Sequence, residues 1–451
     1  MAEFKIKKGF DIKVEGKPAA TMETLELSGN RVVYPAEFEG VKPRLKVAVG
    51  DRVRLGDLLF ENKKNERMRF LSPVAGTIEA IHLGARRFPS EIVIVPDEKQ
   101  EAVSFTSFTA ESLAKLSRDE VVEHLLNAGL WPLIKQRPFS KIADPDAEPK
   151  AIFVNACNSA PFQADVQVLL KGNEEAFQMG LDALAKLTEG AVHLCQSADT
   201  NLPSFKTVQQ HTFSGPHPSG NTSVHINRIS PILPHDTVYT LRAQDVVLIG
   251  QLLLKGEYPK SKIIALAGPS IKESFRKHYR VPLSADLTPL LSQALEESEE
   301  IRVVAGHLLW GDIVGTQTAV RFYGSEFFAL EEDRSRHFMG WTMPGLFQYS
   351  VHRLYPSVLF RKKEWKLGTN LHGGHRSMVV TGWYDKYQPL NIMTDFLIRA
   401  VLAHDTDEAI QLGILETDPE DFALAAFLDP AKTDFCGIVK QGLEEIEKEG
   451  I

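Results

Sequence analysis

The sequence predicts a multidomain protein of mixed α/β and α+β class, and three observations lead to this prediction. Its 451 residues are enough for two to four domains that each bury a core. The 43% hydrophobic and 24% charged residues are typical of globular proteins, which excludes disordered, collagen-like and disulfide-stapled chains. Short apolar runs come first, strand and helix patterns then alternate, and helix signals dominate the end of the chain.

Residues 1–105 are the first predicted domain. Apolar runs at 45–49, 58–60 and 92–95 are separated by glycine, proline and charged residues. Runs of this length and spacing are typical of strands in a small β-barrel or sandwich.

Within this domain, residues 47–61 and 72–78 resemble the barrel-sandwich fold of biotinyl and lipoyl carriers. In such carriers a lysine at the hairpin tip takes the cofactor, and Lys64 lies at about that position. The carrier interpretation predicts covalent modification of Lys64. The alternative is a bare solvated turn, which the crowded cationic tip favours.

Residues 106–149 are predicted to be a helical connector and linker. A helical apolar period runs from 112 to 131, and a segment rich in proline and charge follows at 138–149.

Residues 150–257 are predicted to form an α/β domain with a mostly parallel sheet. Strand patterns at 151–154 and 191–195 alternate with helical patterns at 163–170 and 173–187. The turn after the first strand has no glycine, so its backbone cannot approach a pyrophosphate as a glycine-rich turn does. We therefore expect no NAD, FMN or ATP in this domain.

Two further regions complete the chain. Residues 258–325 place strand patterns around one helical pattern and predict a compact α+β module. Residues 326–451 are predicted to be helical at their end, because Asp405 and Glu408 have capping-box spacing and Asp418 precedes a proline.

The formal charge of −8 argues against a nucleic-acid partner. Its distribution is uneven, with 18 Lys and Arg against 15 Asp and Glu in residues 1–100, and 3 against 13 in residues 401–451.

We expect no transmembrane segment and no secretory signal, since no apolar run is long enough. Three scattered cysteines cannot supply the four thiolates of an iron–sulfur cluster, and they fit a reducing cytosol.

A histidine-containing segment is the main candidate site. Three imidazoles within fifteen residues could be interpreted as a metal site, but glycine and proline punctuation favours a structured loop without metal. The candidate residues are His211, Phe213, Ser214, Gly215, His217, Gly220 and His225. A second pair, His372 and His375, has metal-ligand spacing, but it lies on a Gly-Gly stretch and is interpreted as a turn.

Over nearly its whole length, the sequence resembles the NqrA family in a series of short segments that occur in the same order. This family supplies one subunit of the Na⁺-translocating NADH:quinone oxidoreductases. The region 321–370 departs most from the family pattern. The matching residues are 6–11, 46–61, 63–65, 73–77, 137–140, 150–154, 213–220, 264–269, 405–415, 420–424 and 446–450.

The resemblance implies a fold and a role. The fold is a barrel-sandwich N-terminal domain, a Rossmann-like domain, a β-grasp module similar to soluble-ligand-binding domains, and a helical C-terminal domain. The role is that of a peripheral subunit on the cytoplasmic side of the bacterial inner membrane, in a respiratory complex that couples NADH oxidation and quinone reduction to Na⁺ export.

The resemblance also implies partners and cofactors. The expected partners are the membrane and flavin subunits B to F, with ubiquinone or menaquinone as substrate. FMN, FAD, riboflavin and an iron–sulfur centre are expected in those subunits and none in this chain. No catalytic, cofactor-binding or metal-binding residue is predicted, and the segment from His211 to His225 is expected to contact quinone or a neighbouring subunit.

Two alternatives stay open at this point. One is a self-sufficient flavin or nicotinamide oxidoreductase built on the α/β domain, which the turn without glycine disfavours. The other is a biotinyl or lipoyl carrier modified at Lys64.

Overall fold

The protein is described from a computed structural model. The structure describes residues 2–298, 300–336, 338–351, 354–360, 362–380 and 382–450. In these residues no helix combines the length and the apolar character needed to cross a membrane.

Twenty strands in the described residues form four sheets. They are β1 (Ala2–Lys5), β2 (Ala19–Thr24), β3 (Arg31–Val33), β4 (Pro43–Leu45), β5 (Arg52–Val53), β6 (Leu58–Asn62), β7 (Asn65–Leu71), β8 (Gly76–Leu83), β9 (Pro89–Pro96), β10 (Lys135–Arg137), β11 (Lys141–Ile142), β12 (Ala151–Ala156), β13 (Ala191–Ser197), β14 (Gln209–Ser214), β15 (Val238–Arg242), β16 (Ser261–Ala267), β17 (Lys277–Pro282), β18 (Ile301–His307), β19 (Trp310–Ile313) and β20 (Glu326–Glu331).

Eleven α-helices lie in the same part of the chain. They are α1 (Ala110–Ala114), α2 (Arg118–Asn127), α3 (Val166–Leu170), α4 (Glu174–Leu184), α5 (Thr222–Ile229), α6 (Ala243–Lys255), α7 (Thr288–Ala294), α8 (Thr394–Leu402), α9 (Thr406–Gln411), α10 (Ala423–Leu428) and α11 (Phe435–Glu449). Short 3-10 helices, including Trp131–Leu133 and Pro419–Phe422, connect several of them.

The N-terminal region contains two small antiparallel sheets, in the orders β3-β9-β8-β5 and β4-β6-β7. The predicted strands at 58–60 and 92–95 are confirmed as β6 and β9. Aromatic rings fill the core between the sheets, where Phe60 and Phe70 stack at 4.4 Å and Phe38 packs on both. This arrangement agrees with the small β-sandwich expected from the spacing of the runs.

The connector differs from the single helical stretch predicted over 112–131. It is divided into α1 and α2, because the Ser117 hydroxyl and the Glu120 side chain form a capping box that starts a new helix. The predicted linker 138–149 also contains β11, which pairs with β10 at the edge of the largest sheet.

The largest sheet has the order β1-β14-β13-β12-β15-β10-β11. Neighbouring strands from β1 to β15 are parallel, and β10 is antiparallel to its neighbours β15 and β11. The prediction of a mostly parallel sheet is therefore confirmed. The first strand of the predicted α/β region, β12, lies in the middle, with β13 and β14 on one side and β15 on the other.

Helices α4 and α6 cross closely beside this sheet, and two glycines make the crossing possible. A Cβ atom at Gly250 would lie 1.6 Å from the carbonyl oxygen of Ala176, and one at Gly180 would lie 2.3 Å from that of Val246. Any larger side chain at these two positions would force the helices apart.

The fourth sheet has the order β19-β18-β20-β16-β17-β2. The strand patterns and the single helical pattern predicted in residues 258–325 are found there, and they include β16 and α7. Buried side chains such as Leu291 and Phe327 share the core of this α+β region.

The first 24 residues cross the predicted domain limits. Strand β1 pairs in parallel with β14 of the seven-stranded sheet, and β2 pairs with β17 of the six-stranded sheet. The division into regions 1–105, 106–149, 150–257, 258–325 and 326–451 stays a prediction. The hydrogen-bonded sheets show that the N-terminal residues belong to more than one of these structural units.

The last region combines irregular chain with helices α8 to α11, which share one apolar core. The predicted caps are confirmed, because the carboxylate of Asp405 accepts the backbone N–H of Glu408 and that of Asp418 accepts the N–H of Glu420.

Candidate functional site

A cavity of about 300 Å³ lies between the seven-stranded sheet and the C-terminal helices. Strands β10 and β15 form its floor, the start of α5 and the 3-10 helix Pro419–Phe422 form one side, and α11 forms another. Its apolar and aromatic walls are Leu133, Phe139, Leu241, Trp310, Tyr323 and Leu443. Its charged walls are Lys135, Arg137, Lys141, Arg242 and Lys440 together with Glu39, Asp245, Asp418, Glu420, Glu444 and Glu447.

The position of the cavity follows from the strand order. The chain continues from β12 to β13 on one side and reaches β15 on the other, so the strand order reverses between β12 and β15, and the cavity lies against β15 and its neighbour β10. Open α/β sheets bind ligands at such points. Arg242 at the end of β15 and Thr222 at the start of α5 both line the cavity at this end of the sheet.

Lys135 contributes a cation to the cavity wall. Its Nζ lies 3.8 Å from the ring centre of Tyr323, which is a cation–π distance. Within the described residues no carboxylate lies at ion-pair distance from this Nζ. Burial lowers the pKa of Lys135 to about 8, so its charge is sensitive to pH just above neutrality.

Arg137 joins the sheet to the C-terminal region. Its guanidinium donates to the Ser223 hydroxyl at 3.1 Å and to the Thr417 carbonyl at 3.2 Å, and it pairs with Asp418 at 3.2 Å. The side chain is 9% exposed, and its Nε has no hydrogen-bond partner in the described part of the chain. The guanidinium therefore lines the cavity with its terminal nitrogens already bonded to the C-terminal region and its Nε buried without a partner.

Charged side chains of both signs lie in the cavity wall and next to it. Asp245 caps α6 by accepting the backbone N–H of Arg242, and burial raises the pKa of this carboxyl. Burial also lowers the pKa of Lys262 to about 8, and its ammonium donates to two backbone carbonyls. The Arg242 guanidinium reaches Glu326 at 3.5 Å and remains half exposed.

Glu420 lies in the cavity wall and contacts His307, which is followed farther from the cavity by His217. Its carboxylate lies 2.8 Å from Nε2 of His307, whose ring is 6.3 Å from that of His217. Burial raises the pKa of Glu420, but the hydrogen bond with His307 and the charge of Arg242 outweigh burial and lower it to about 2. Glu420 is therefore ionised at neutral pH.

These features define what the cavity can hold. Aromatic and aliphatic walls fit a flat apolar ring, and the donors of Lys135 and Arg137 fit carbonyl oxygens on such a ring.

The predicted histidine segment is not a loop throughout, since it begins in strand β14 and ends in helix α5. His211 and Phe213 lie on β14, and His225 lies in α5. His211 Nε2 is 3.0 Å from His193 Nδ1, and the His225 ring packs 4.2 Å from Phe213. His225 is fully buried, and its Nε2 lies 3.1 Å from the Ser219 carbonyl.

The remaining predicted residues form close backbone contacts. The Ser214 carbonyl accepts the N–H of Ile6, and Gly215 lies so near that a Cβ there would be 2.1 Å from the Ile6 carbonyl oxygen. His217 is 1% exposed, with Nδ1 3.0 Å from the Ser159 hydroxyl, which also accepts the N–H of Gly220. Burial lowers the pKa of His217 to about 3, so its ring is neutral.

The structure therefore brings the seven predicted residues together around β14 and α5, and none of them is among the described residues that line the 300 Å³ cavity. A contact of this segment with quinone or a neighbouring subunit stays a prediction. The cavity residues were not predicted as a site from the sequence. Asp418 and Pro419 carry only the local signal of a helix start, and Phe139 falls in the predicted linker.

In the turn after β12, the backbone N–H groups donate hydrogen bonds to side chains of the protein itself. The N–H of Cys157 bonds to the Asn155 side chain, that of Asn158 to the Ser197 hydroxyl, and that of Ser159 to the Gln163 side chain. A phosphate-binding turn presents these groups to its ligand instead.

The other candidate sites lie elsewhere. Lys64 lies at the tip of the β6–β7 hairpin and is exposed. His375 bonds to the Lys432 carbonyl at 2.9 Å. The described residues contain no group of three or more His, Cys, Asp or Glu side chains that could hold a metal ion.

We expect His217→Ala to lower the free energy of unfolding by about 2 kcal/mol, because a buried ring and its hydrogen bond to Ser159 are lost. Thermal unfolding of the purified chain measures this change, and exposed His82→Ala is the control. If His217 instead contacts quinone, the His217→Ala variant should have a KM for quinone raised about two- to tenfold and an unchanged free energy of unfolding.

Comparisons with known proteins match two regions of the chain to family models. Residues 4–97 match the model described as the NqrA N-terminal barrel-sandwich hybrid domain, and residues 116–258 match that of the NqrA second alpha/beta domain. Together these two matches cover more than half of the chain.

Full-length relatives agree. The NqrA subunit of the Na(+)-translocating NADH-quinone reductase of Pasteurella multocida is 38% identical over 454 residues, covering 99% of both chains. The protein of the same name from Histophilus somni is 37% identical over 450 residues with the same coverage. A solved NAD⁺-reducing [NiFe]-hydrogenase aligns with 49% of this chain and 46% of its own, at 13% identity and a TM-score of 0.33. From the two domain matches and the full-length identity, we conclude that the chain belongs to the NqrA family of subunits of the Na⁺-translocating NADH-quinone reductases.

Proposed function

We propose that this chain acts as the NqrA subunit of an Na⁺-translocating NADH-quinone reductase. The observation that carries this proposal is the identity of 37–38% over 99% of both chains, which leaves no large region without a counterpart in the relatives. In this role the chain is one part of an oxidoreductase that moves Na⁺, and it is not catalytic alone.

The finer parts of the fold belong to the same proposal. A Rossmann-like region at 150–257 is supported by the order of its parallel strands. A β-grasp module at 258–325 is supported by the packing of α7 on the six-stranded sheet, and a helical domain at 326–451 by helices α8 to α11.

Partners and location complete the proposal. We place the chain on the cytoplasmic side of the bacterial inner membrane, against the membrane and flavin subunits B to F. FMN, FAD, riboflavin and the iron–sulfur centre are assigned to those subunits. A turn that uses its own donors, from Cys157 to Ser159, supports a chain without a nucleotide cofactor.

Complementation tests the role. In bacteria that lack their own NqrA protein, this chain should restore NADH-dependent quinone reduction and Na⁺ export by isolated membranes. NADH oxidation by the purified chain alone would contradict the proposal and support the alternative of a self-sufficient oxidoreductase. An increase in the intact mass of the chain, located at Lys64, would support the carrier alternative.

We further place a quinone headgroup in the 300 Å³ cavity. A headgroup is a flat ring with two carbonyl acceptors, and the cavity combines aromatic walls with the ammonium of Lys135, which has no carboxylate partner among the described residues, and the guanidinium of Arg137. The segment around His217 is packed too tightly to offer comparable space, since its ring and the backbone of Gly220 contact Ser159 directly.

We expect Lys135→Met to raise the KM for quinone about tenfold in the complemented complex, because methionine keeps the packing on Tyr323 but removes a charged donor. The KM for NADH should not change. Since the pKa of Lys135 is about 8, the wild-type KM for quinone should rise as the pH passes 8, and that of the variant should not. Steady-state kinetics across pH measure both effects.

The matched control is Lys260→Met, which removes an exposed lysine outside the cavity. Equal quinone kinetics in the Lys135 variant, the control and the wild type would exclude the cavity as the headgroup site. Assembly of the complex, read from gel filtration, separates this result from a failure of the role itself.

A further inference from the structure

One segment of the surface is unusually apolar. We call residues 338–380 the basic-apolar segment, and it has little regular structure apart from two 3-10 helices in its described part. Phe338 is 91% exposed, and Phe347 and Leu359 are each 77% exposed. Eight of the described apolar side chains in this segment are at least half exposed: Phe338, Met343, Phe347, Leu354, Leu359, Leu371, Val379 and Val380. Such a concentration marks a contact surface.

The same part of the chain is strongly basic. Residues 338–380 contain six Lys and Arg and one Glu, which is a formal charge of +5 in a chain whose total is −8. The segment therefore attracts anionic surfaces, whereas the acidic last 51 residues repel them.

Several of these cations are not neutralised. In the described residues, Lys362 and Arg376 have no carboxylate at ion-pair distance. Lys363 lies 4.3 Å from the ring centre of Trp365, and this contact leaves its charge uncompensated.

Buried anchors hold the segment against the rest of the protein. Trp365 exchanges backbone hydrogen bonds of 3.0 Å with residues 13 and 15, and its ring packs on Tyr349. Leu367 and Met378 pack against two apolar cores. The exposed apolar groups and cations lie along the chain between and beside these anchored residues.

We propose that the basic-apolar segment binds the anionic headgroup surface of a lipid bilayer. Exposed Phe, Leu and Met side chains among Lys and Arg are the combination that enters a bilayer interface, where cations contact lipid phosphates and apolar groups reach the acyl boundary. The exposed groups are spread over irregular chain and carry a net positive charge, which favours an anionic lipid surface over a shaped protein partner. This inference does not depend on the proposed role in the reductase.

Vesicle binding by the full purified chain tests the proposal. We expect the chain to sediment with phosphatidylcholine vesicles that contain about 30% phosphatidylglycerol, and to bind pure phosphatidylcholine at least tenfold more weakly. Raising the salt should release the chain, because screening weakens the attraction of exposed charges.

Charge variants locate the surface. Lys362→Gln combined with Lys363→Gln should weaken binding to the anionic vesicles about twentyfold, at roughly fivefold for each charge. The matched control, Arg86→Gln combined with Arg87→Gln, removes the same charge from the exposed turn between β8 and β9 and should leave binding unchanged.

Apolar variants test insertion. Phe347→Ser combined with Leu359→Ser should weaken binding about tenfold at any salt concentration, and Val49→Ser combined with Ile313→Ser, which are also exposed, should not. Equal binding by variants and controls would overturn the proposal. So would failure to bind anionic vesicles by a chain that binds the purified membrane subunits in detergent, which would assign the segment to a protein partner.

Discussion

Replacing Gly250 by alanine is expected to lower the free energy of unfolding by at least about 3 kcal/mol, even though alanine favours helices. The added Cβ would lie 1.6 Å from the carbonyl oxygen of Ala176, and this atom belongs to the rigid backbone of α4. Helices α4 and α6 must then separate beside the sheet, which opens the core around Phe177 and Leu252. Thermal or urea unfolding of the purified chain measures the loss.

The control for this prediction is Gly374→Ala. A Cβ at Gly374 meets no atom within 4 Å, so this variant should unfold like the wild type. If Gly250→Ala also unfolds like the wild type, the close helix crossing is not a feature of the folded protein.

A second large effect is expected from Glu37→Gln, and it depends on pH. Burial raises the pKa of Glu37 to about 7 from an ordinary value of 4.5, although Arg321 and the backbone N–H of Phe322 favour its charged form. The folded chain therefore binds the proton more tightly than the unfolded chain. Wild-type stability falls as the pH rises from 4.5 towards 7, because the folded state must release this proton.

Glutamine cannot lose a proton, so the variant avoids this fall. Between about pH 5 and pH 8, its free energy of unfolding should increase relative to that of the wild type by about 3 kcal/mol. Chemical unfolding at the two pH values measures the difference, with exposed Glu98→Gln as the control. A constant difference between variant and wild type across pH would show that Glu37 is already ionised at pH 5.

The sequence predicted the elements whose signals are local. Strand β12 is a run of buried apolar residues, and the caps at Asp405 and Asp418 depend on residues two or three positions away. Strand β14 was missed, although residues 211 and 213 alternate inward as in any half-buried strand. The glycines and prolines that follow this strand, together with His211 in it and His217 after it, favoured the interpretation of a loop.

The cavity could not be predicted in this way, because its walls come from distant parts of the chain. Lys135, Arg242 and Glu444 are each separated by more than a hundred residues, and no local pattern links them. The burial of the Arg137 guanidinium and the lowered pKa of Lys135 also arise only in the folded state. Such features depend on the tertiary structure and leave no spacing signal in the sequence.

The pairing of the N-terminal strands also bears on synthesis. Ala2 pairs with His211 and Ala19 with Lys277, so each early strand is made on the ribosome long before its partner strand. At translation speeds of about 5–20 residues per second, β1 and β2 wait for about ten seconds or more. During this interval they are unpaired strands that other nascent chains can capture. The amino terminus is therefore the first part of this protein to be made, but it can reach its native place only after residues 211 and 277 have followed it.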